Sequence, residues 1–402
     1  MNTPIKAAFL TLIAMSLFDS TLGYANQNFT QSLSGGKPSL NMRLRYENID
    51  YVNAGATYAK ALTLRTRLGY ETAQYAKTTA MIQFTHVGVV AGINQFSPEQ
   101  SGYDVIQDPS GDYLNQAYLS YRPTDSLNMI GGRQRMIIDN ARFIGNVGWH
   151  QNEQTFNALN IKYSQRKSSV LAAYMNDVYG ITPAFDSSAS NIILNAAYQT
   201  PWGKLTGYYY GLDNETASPN NDSSGVRLTG LQPVGNRNKI RYALEYTYQT
   251  ADNSPKYDTR YSHAELGFIM DSFAVSAGFE SLGSDGGNYA FQTPLATKHK
   301  FNGWADMFLT TPNDGLQDVY VSAGTKAAGV SLEVVYHTFG ATQNSDSYGS
   351  EVDLAAIKSF KKSYTAGAKY SAYLADSDVA NLTPTTANND KHVAWIWIEL
   401  AF

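Results

Sequence analysis

From residue 39 onward, apolar and polar side chains alternate in long runs. Across residues 39–47, Leu40, Met42, Leu44 and Tyr46 interleave with Asn41, Arg43, Arg45 and Glu47. A period of two separates such sets onto opposite faces only in an extended strand. Residues 62–71 repeat the pattern, with Leu62, Leu64, Leu68 and Tyr70 against Thr63, Arg65, Arg67 and Glu71. Residues 239–249 set Ile240, Tyr242, Leu244, Tyr246 and Tyr248 against Arg241, Glu245 and Gln249. Charge at every second position means that one face is wet. A soluble sandwich would bury its apolar face as a core and use shorter strands, whereas these runs reach the ten or so residues that a tilted strand needs to cross a bilayer. The pattern predicts an all-β fold, a transmembrane antiparallel up-and-down β-barrel with a polar lumen.

The connections alternate too. Short polar links at 75–78, 122–126, 164–168, 200–204 and 361–363 read as periplasmic turns. Longer ones at 91–112, 139–155, 213–224, 284–314 and 377–390 are rich in Gly, Asn, Asp, Ser and Pro, and read as extracellular loops. Nineteen segments look strand-like, but a bacterial barrel with both termini in the periplasm has an even number. Residues 301–309 fall where the alternation demands an outside loop, so they are assigned to the 284–314 connection, folded toward the pore. Eighteen strands remain, at about 21 residues per strand and link.

Composition adds the address. Lys6 precedes an uncharged apolar run over 7–18, too short to span a bilayer, and Gly23 and Ala25 flank a cleavage site before Asn26. Residues 1–25 are therefore expected to be a secretory signal peptide and 26–402 the barrel, placed in the outer membrane of a Gram-negative bacterium. The last strand, 391–402, puts Val393, Trp395, Trp397 and Glu399 inward and Ile396, Ile398, Leu400 and Phe402 toward lipid. A chain that ends on an aromatic residue resembles the signal read by the outer-membrane assembly machinery. The 29 Tyr, 17 Phe and 5 Trp suit interfacial girdles. A net charge of −4 favours no nucleic-acid partner, and the absence of cysteine excludes disulfides and thiol chemistry. The six histidines are not spaced as a metal site, so neither metal nor cofactor is expected.

Several stretches resemble the alginate export family of outer-membrane porins. The most specific joins Gly132-Arg133-Gln134-Arg135 to residues 139–145 (DNARFIG) and 149–156 (WHQNEQTF); a second runs from Phe291 through His299-Lys300-Phe301-Asn302-Gly303-Trp304-Ala305-Asp306 to Leu316. The resemblance implies an eighteen-stranded monomer, and an arginine-lined pore for an anionic polysaccharide. The sequence departs from that pattern at His150 and Asn157, where arginine and aspartate are common.

Projected inward, Arg43, Arg45, Arg65, Arg67, Arg133 and Arg135 form a candidate basic wall, with Arg142 at the mouth. These seven arginines outnumber the acids near them in sequence. The inward positions of the later strands instead offer Glu245, Glu265, Glu280, Asp318, Glu333, Glu351 and Asp353, with Arg241 and Lys369 as exceptions and Arg227 a further pore-lining candidate, so a transverse field is expected across the lumen. Residues 149–156 and 301–309 are candidate constriction segments, through Trp149, Gln151, Asn152, Lys300, Trp304 and Asp306. Together these features predict a passive channel for polar, anionic solutes such as acidic saccharides. The alternatives are a non-selective porin, a plugged structural barrel, and an outer-membrane enzyme; for the last, no serine sits in a recognisable nucleophile motif.

Overall fold

The computed structural model describes residues 28–52, 58–213, 219–376 and 389–402. The expected signal peptide and the greater part of the 377–390 connection lie outside the described residues. After a six-residue helix, α1 (Phe29–Ser34), come eighteen long strands. They are β1 (Lys37–Val52), β2 (Ala59–Glu71), β3 (Thr78–Gln95), β4 (Gly111–Thr124), β5 (Leu127–Gln134) and β6 (Thr155–Gln165). Next are β7 (Ser168–Tyr179), β8 (Ser187–Gln199), β9 (Lys204–Leu212), β10 (Asn220–Val234), β11 (Asn238–Asp252) and β12 (Tyr257–Met270). The wall ends with β13 (Phe273–Leu282), β14 (Leu316–Ala327), β15 (Val330–Gly340), β16 (Ser347–Phe360), β17 (Tyr364–Ala375) and β18 (Asp390–Ala401).

Each strand pairs antiparallel with its sequence neighbours, and β18 closes on β1, setting Glu399 opposite Arg43 and Trp397 opposite Arg45. Closure leaves no unpaired edge, a condition for backbone inside hydrocarbon. The alternation sorts the faces as expected: on β18, Val393, Trp395 and Trp397 are buried while Ile396 and Ile398 are exposed on the outer wall. Leu68, Leu119, Leu244, Leu266 and Val321 are likewise exposed there, the apolar surface that lipid covers.

The turns at one end are tight for a local reason. Ala76 and Lys77, Ala328 and Gly329, and Lys361 and Lys362 all have positive φ, the left-handed pair that matches the twist of two hairpin strands. At the other end the connections are long, and three of them fold back inside the barrel: 96–110, 135–154 and 283–315. These bounds shift the predicted loops by a few residues, because β3 runs on to Gln95 and β5 stops at Gln134. Residues 301–309 form no strand; the only sheet in that connection is a small hairpin, Ser284–Asp285 with Tyr289–Ala290.

Candidate functional site

The interior starts from a conflict in the sequence. Across the β1–β2 ladder Arg43 stands directly opposite Arg65, with Arg45 and Arg67 alongside. Like charges in register repel, and they lie where little water reaches them. Two of the inward loops and the closing strand resolve the conflict. From loop 96–110, Asp108 forms an ion pair with Arg45, which also bonds Glu47 at 3.0 Å. From loop 135–154, Glu153 pairs with Arg67 at 3.2 Å and with Arg135, and accepts hydrogen bonds from Asn115 at 2.7 Å and Asn146 at 2.5 Å. Burial alone would raise the Glu153 pKa, but the Arg135 bond and the charges of Arg67 and Arg135 outweigh it and hold the carboxyl at about 2. Arg65 meets Glu399 of β18 at 3.2 Å.

Arg43 takes backbone instead of a carboxylate, donating to the carbonyls of Trp149 at 2.8 Å and His150 at 2.5 Å and to the Gln151 side chain at 3.0 Å. Gln151 in turn donates to Thr63 Oγ1 and to the Arg43 carbonyl, while its amide bonds Asp108. Asn152 donates to the carbonyls of Gly180 and Ile181. Arg133 packs over the Tyr179 ring and donates to the Leu114 carbonyl. The basic wall is therefore not a free array facing water: Arg43, Arg45, Arg65 and Arg67 are all buried, the first, second and fourth bonded to loop residues and Arg65 to Asn41 and Glu399 of the neighbouring strands. The arginines still outnumber their acidic partners, since Arg43 and Arg133 have none within 4 Å among the described residues, but Arg45, Arg65, Arg67, Arg135 and Arg142 are paired with acids, most of them from distant segments.

The other loop is fixed just as firmly. Arg142, expected at the mouth, instead lies buried inside the barrel, where it pairs with Glu280 of β13 at 2.8 Å and donates to Thr293 and Asn302. Backbone bonds link the two loops, Gly145 N to Leu295 O and Thr297 N to Ala141 O. Phe143 and Phe291 pack with Tyr208, Tyr210 and Tyr261 of the wall. Phe308 packs with Phe339, Tyr348 and Tyr373. Between these clusters the backbone of 303–305 is pressed onto β16: Trp304 N donates to Asp353 and Ala305 N to Glu351. Gly303, at φ +84°, is required there, since a Cβ would lie 2.4 Å from the Glu351 carboxylate.

Where the loops meet, Trp149 stacks on His299 at 4.8 Å and turns its edges to Trp395 and Trp397. His299 Nδ1 bonds Asp306 at 3.0 Å, and the Lys369 ammonium lies 4.2 Å from the Trp149 ring centre, 3.9 Å from that of Trp304 and 3.4 Å from His299 Nε2. Burial lowers the His299 and His150 pKa values to about 4, so both rings are neutral at pH 7.

Below this roof lies a cavity of about 1330 Å³. Gln199, Pro201, Gly203 and Gln232, beside a short turn, place its opening at the periplasmic end, and Trp149 and residues 300–304 close it above. Of the predicted site residues, Arg227, Arg241, Glu265, Glu280, Trp149, Lys300 and Trp304 line it. Arg43, Arg45, Arg65, Arg67, Arg133, Arg135, Arg142, Glu245, Gln151, Asn152 and Asp306 do not. Glu245 is buried, paired with Arg227 at 3.2 Å and accepting from Tyr208. Arg241 pairs with Glu265 at 3.1 Å. These pairs neutralise part of the charge that the sequence places across the lumen. Asp108, Glu153, His299 and Lys369 escaped the sequence reading as site residues. Glu153 and His299 fell within the two matched stretches and alternation set Lys369 inward, but nothing marked Asp108.

A closed eighteen-stranded barrel with an apolar belt, a polar interior and loops folded into its lumen is the architecture of outer-membrane channel porins, not of enzymes. The profile of the alginate export family matches residues 95–297, half of the chain, and the protein belongs to that family. The fold is shared with Acinetobacter baumannii OccAB2 (TM-score 0.72, 13% identity, covering 92% of this chain and 99% of that one) and OccAB4 (0.71, 12%, 91% and 98%). It is also shared with a BenF-like porin from Pseudomonas fluorescens Pf-5 (0.70, 12%, 92% and 100%). No curated protein matches the sequence. The chain is a porin-like outer-membrane channel of a Gram-negative bacterium.

Proposed function

We propose that the channel passes small polar anions, acidic saccharides among them, by passive diffusion. The observation that carries this reading is the vestibule: a cavity of about 1330 Å³ into which Lys204, Arg227, Arg241, Lys300 and Lys369 project, with Trp304 and Tyr320 beside them. A low-dielectric barrel wall focuses the field of such groups and raises the local anion concentration. The volume exceeds that of a pocket for one drug-sized ligand, room enough for a sugar acid and its hydration. In this reading the protein is a monomer held in outer-membrane lipid, delivered by its signal peptide and inserted by the assembly machinery through the strand ending at Phe402.

The three inward loops favour one second reading, a plugged structural barrel. Planar-bilayer recording separates the two. The channel reading expects discrete conductance steps and, in a salt gradient, a reversal potential on the anion side. Absence of conductance supports the plug, equal permeabilities the non-selective porin, and cation preference refutes the anion channel.

A further inference from the structure

We infer that the anion-selecting point of this channel is the pair Lys300 and Lys369 at the roof of the vestibule, and not the arginines of β1, β2 and β5. The inference rests on the anion-channel reading and specifies which residues carry it.

Most of the cavity's cations are already paired. Among those that line the cavity, Lys204 pairs with Asp139 at 2.6 Å, Arg227 with Glu245 and Arg241 with Glu265. Lys300 and Lys369 have no carboxylate within 4 Å among the described residues. Lys300 donates to the Asn140 carbonyl at 3.0 Å and is exposed; Lys369 lies against the Trp149 and Trp304 rings. A carbonyl and aromatic faces stabilise an ammonium without cancelling its charge. The cavity's acids are mostly committed: Glu265 to Arg241, Glu280 to Arg142, and Asp318 to His337 at 2.9 Å. Glu333 alone lines it without a cation within 4 Å, against two unpaired lysines.

Position adds to charge. Both lysines flank the 301–304 segment, which closes the vestibule where the two inward loops join, so a solute moving along the barrel from the vestibule meets them at its roof. The arginines fail the same test, since four of the six are buried and bonded to loop backbone or carboxylates. A carboxylate could displace a lysine's weak contacts, whereas it could reach Arg43 or Arg45 only by unseating loop 135–154.

The site also carries its own reporter. Lys369 touches two of the five tryptophans, so an anion bound to it alters their emission. The full-length protein, purified in detergent, is titrated with glucuronate and with glucose as the neutral control. A saturable change with glucuronate alone is expected, its apparent affinity falling about tenfold or more in Lys369→Gln, the loss of a charge-assisted hydrogen bond. Lys369→Arg should restore it. In bilayers, the Lys300→Gln/Lys369→Gln double variant should keep its conductance steps while its anion-to-cation permeability ratio falls toward one. Heat-modifiable gel migration verifies that each variant is a folded barrel. An anion-selective wild type whose ratio survives in the double variant overturns the lysine assignment and leaves the channel reading intact. A cation-selective wild type overturns both.

Discussion

Substituting Glu153 by Gln isolates the contribution of one carboxylate to the inward position of loop 135–154. The side chain is almost wholly buried, and it neutralises Arg67 and Arg135 while accepting from Asn115 and Asn146. Gln preserves the shape but not the charge, and leaves two guanidinium groups facing each other. Breaking a buried pair by removing one partner costs about 3–5 kcal/mol. At 1.4 kcal/mol per decade, the ratio of closed to open loop should fall by roughly a hundredfold to a few thousandfold. Single-channel recording reads this directly, as longer or larger openings in Glu153→Gln than in the wild type. Acid should produce the same effect through protonation. Because the folded-state pKa of about 2 lies below the ordinary value of 4.5, the pair's contribution is complete above pH 4.5 and is lost as pH falls toward 2. The wild type should therefore gain openings over that window, and the variant should lack that step. A folded Glu153→Gln channel with wild-type conductance and gating would refute the claim that this ion-pair cluster holds the loop.

Arg142→Ala strands Glu280 in the interior, and should lower stability by about 3–5 kcal/mol in urea unfolding from detergent, whereas Arg142→Met combined with Glu280→Leu should recover much of it. His299 and His150 are held neutral by burial, with values near 4 against 6.5, so the loops should lose these two residues' contribution to stability as pH drops from about 6.5 to about 4, a loss that is complete below that. Emission from Trp149, stacked on His299, should follow that fall, and His299→Gln should shrink its amplitude. Gly303→Ala forces a side chain into the Glu351 carboxylate at a left-handed φ, and should cost about 1–3 kcal/mol. Faster proteolysis of 283–315 in folded barrels would register that cost, and unchanged protection would count against it.

The architecture was legible because its determinants are local. Period-two alternation, as in Leu40 to Glu47 or Ile396 to Phe402, assigns each side chain to a face without reference to any other strand. The even-number rule then fixed the count and removed residues 301–309 from the wall. Even the joining of the last strand to the first followed, since a closed barrel must pair them, although the register that sets Trp397 opposite Arg45 did not.

The interior chemistry was not legible, because its partners are remote in the chain. Arg142 and Glu280 are separated by 138 residues, and Arg43 meets Gln151 across 108. Alternation says that an arginine points inward, but not whether it meets water or a carboxylate carried in by a loop. Loops have no period to betray whether they stand outside or fold back, so the burial of Asp108 and Glu153 left no signature in the pattern. Residue type and face thus came from the sequence, since they depend on neighbours two positions away. Which charges remain free was decided only by the tertiary fold, because in a low-dielectric lumen the nearest opposite charge, whatever its sequence distance, determines what a solute can feel.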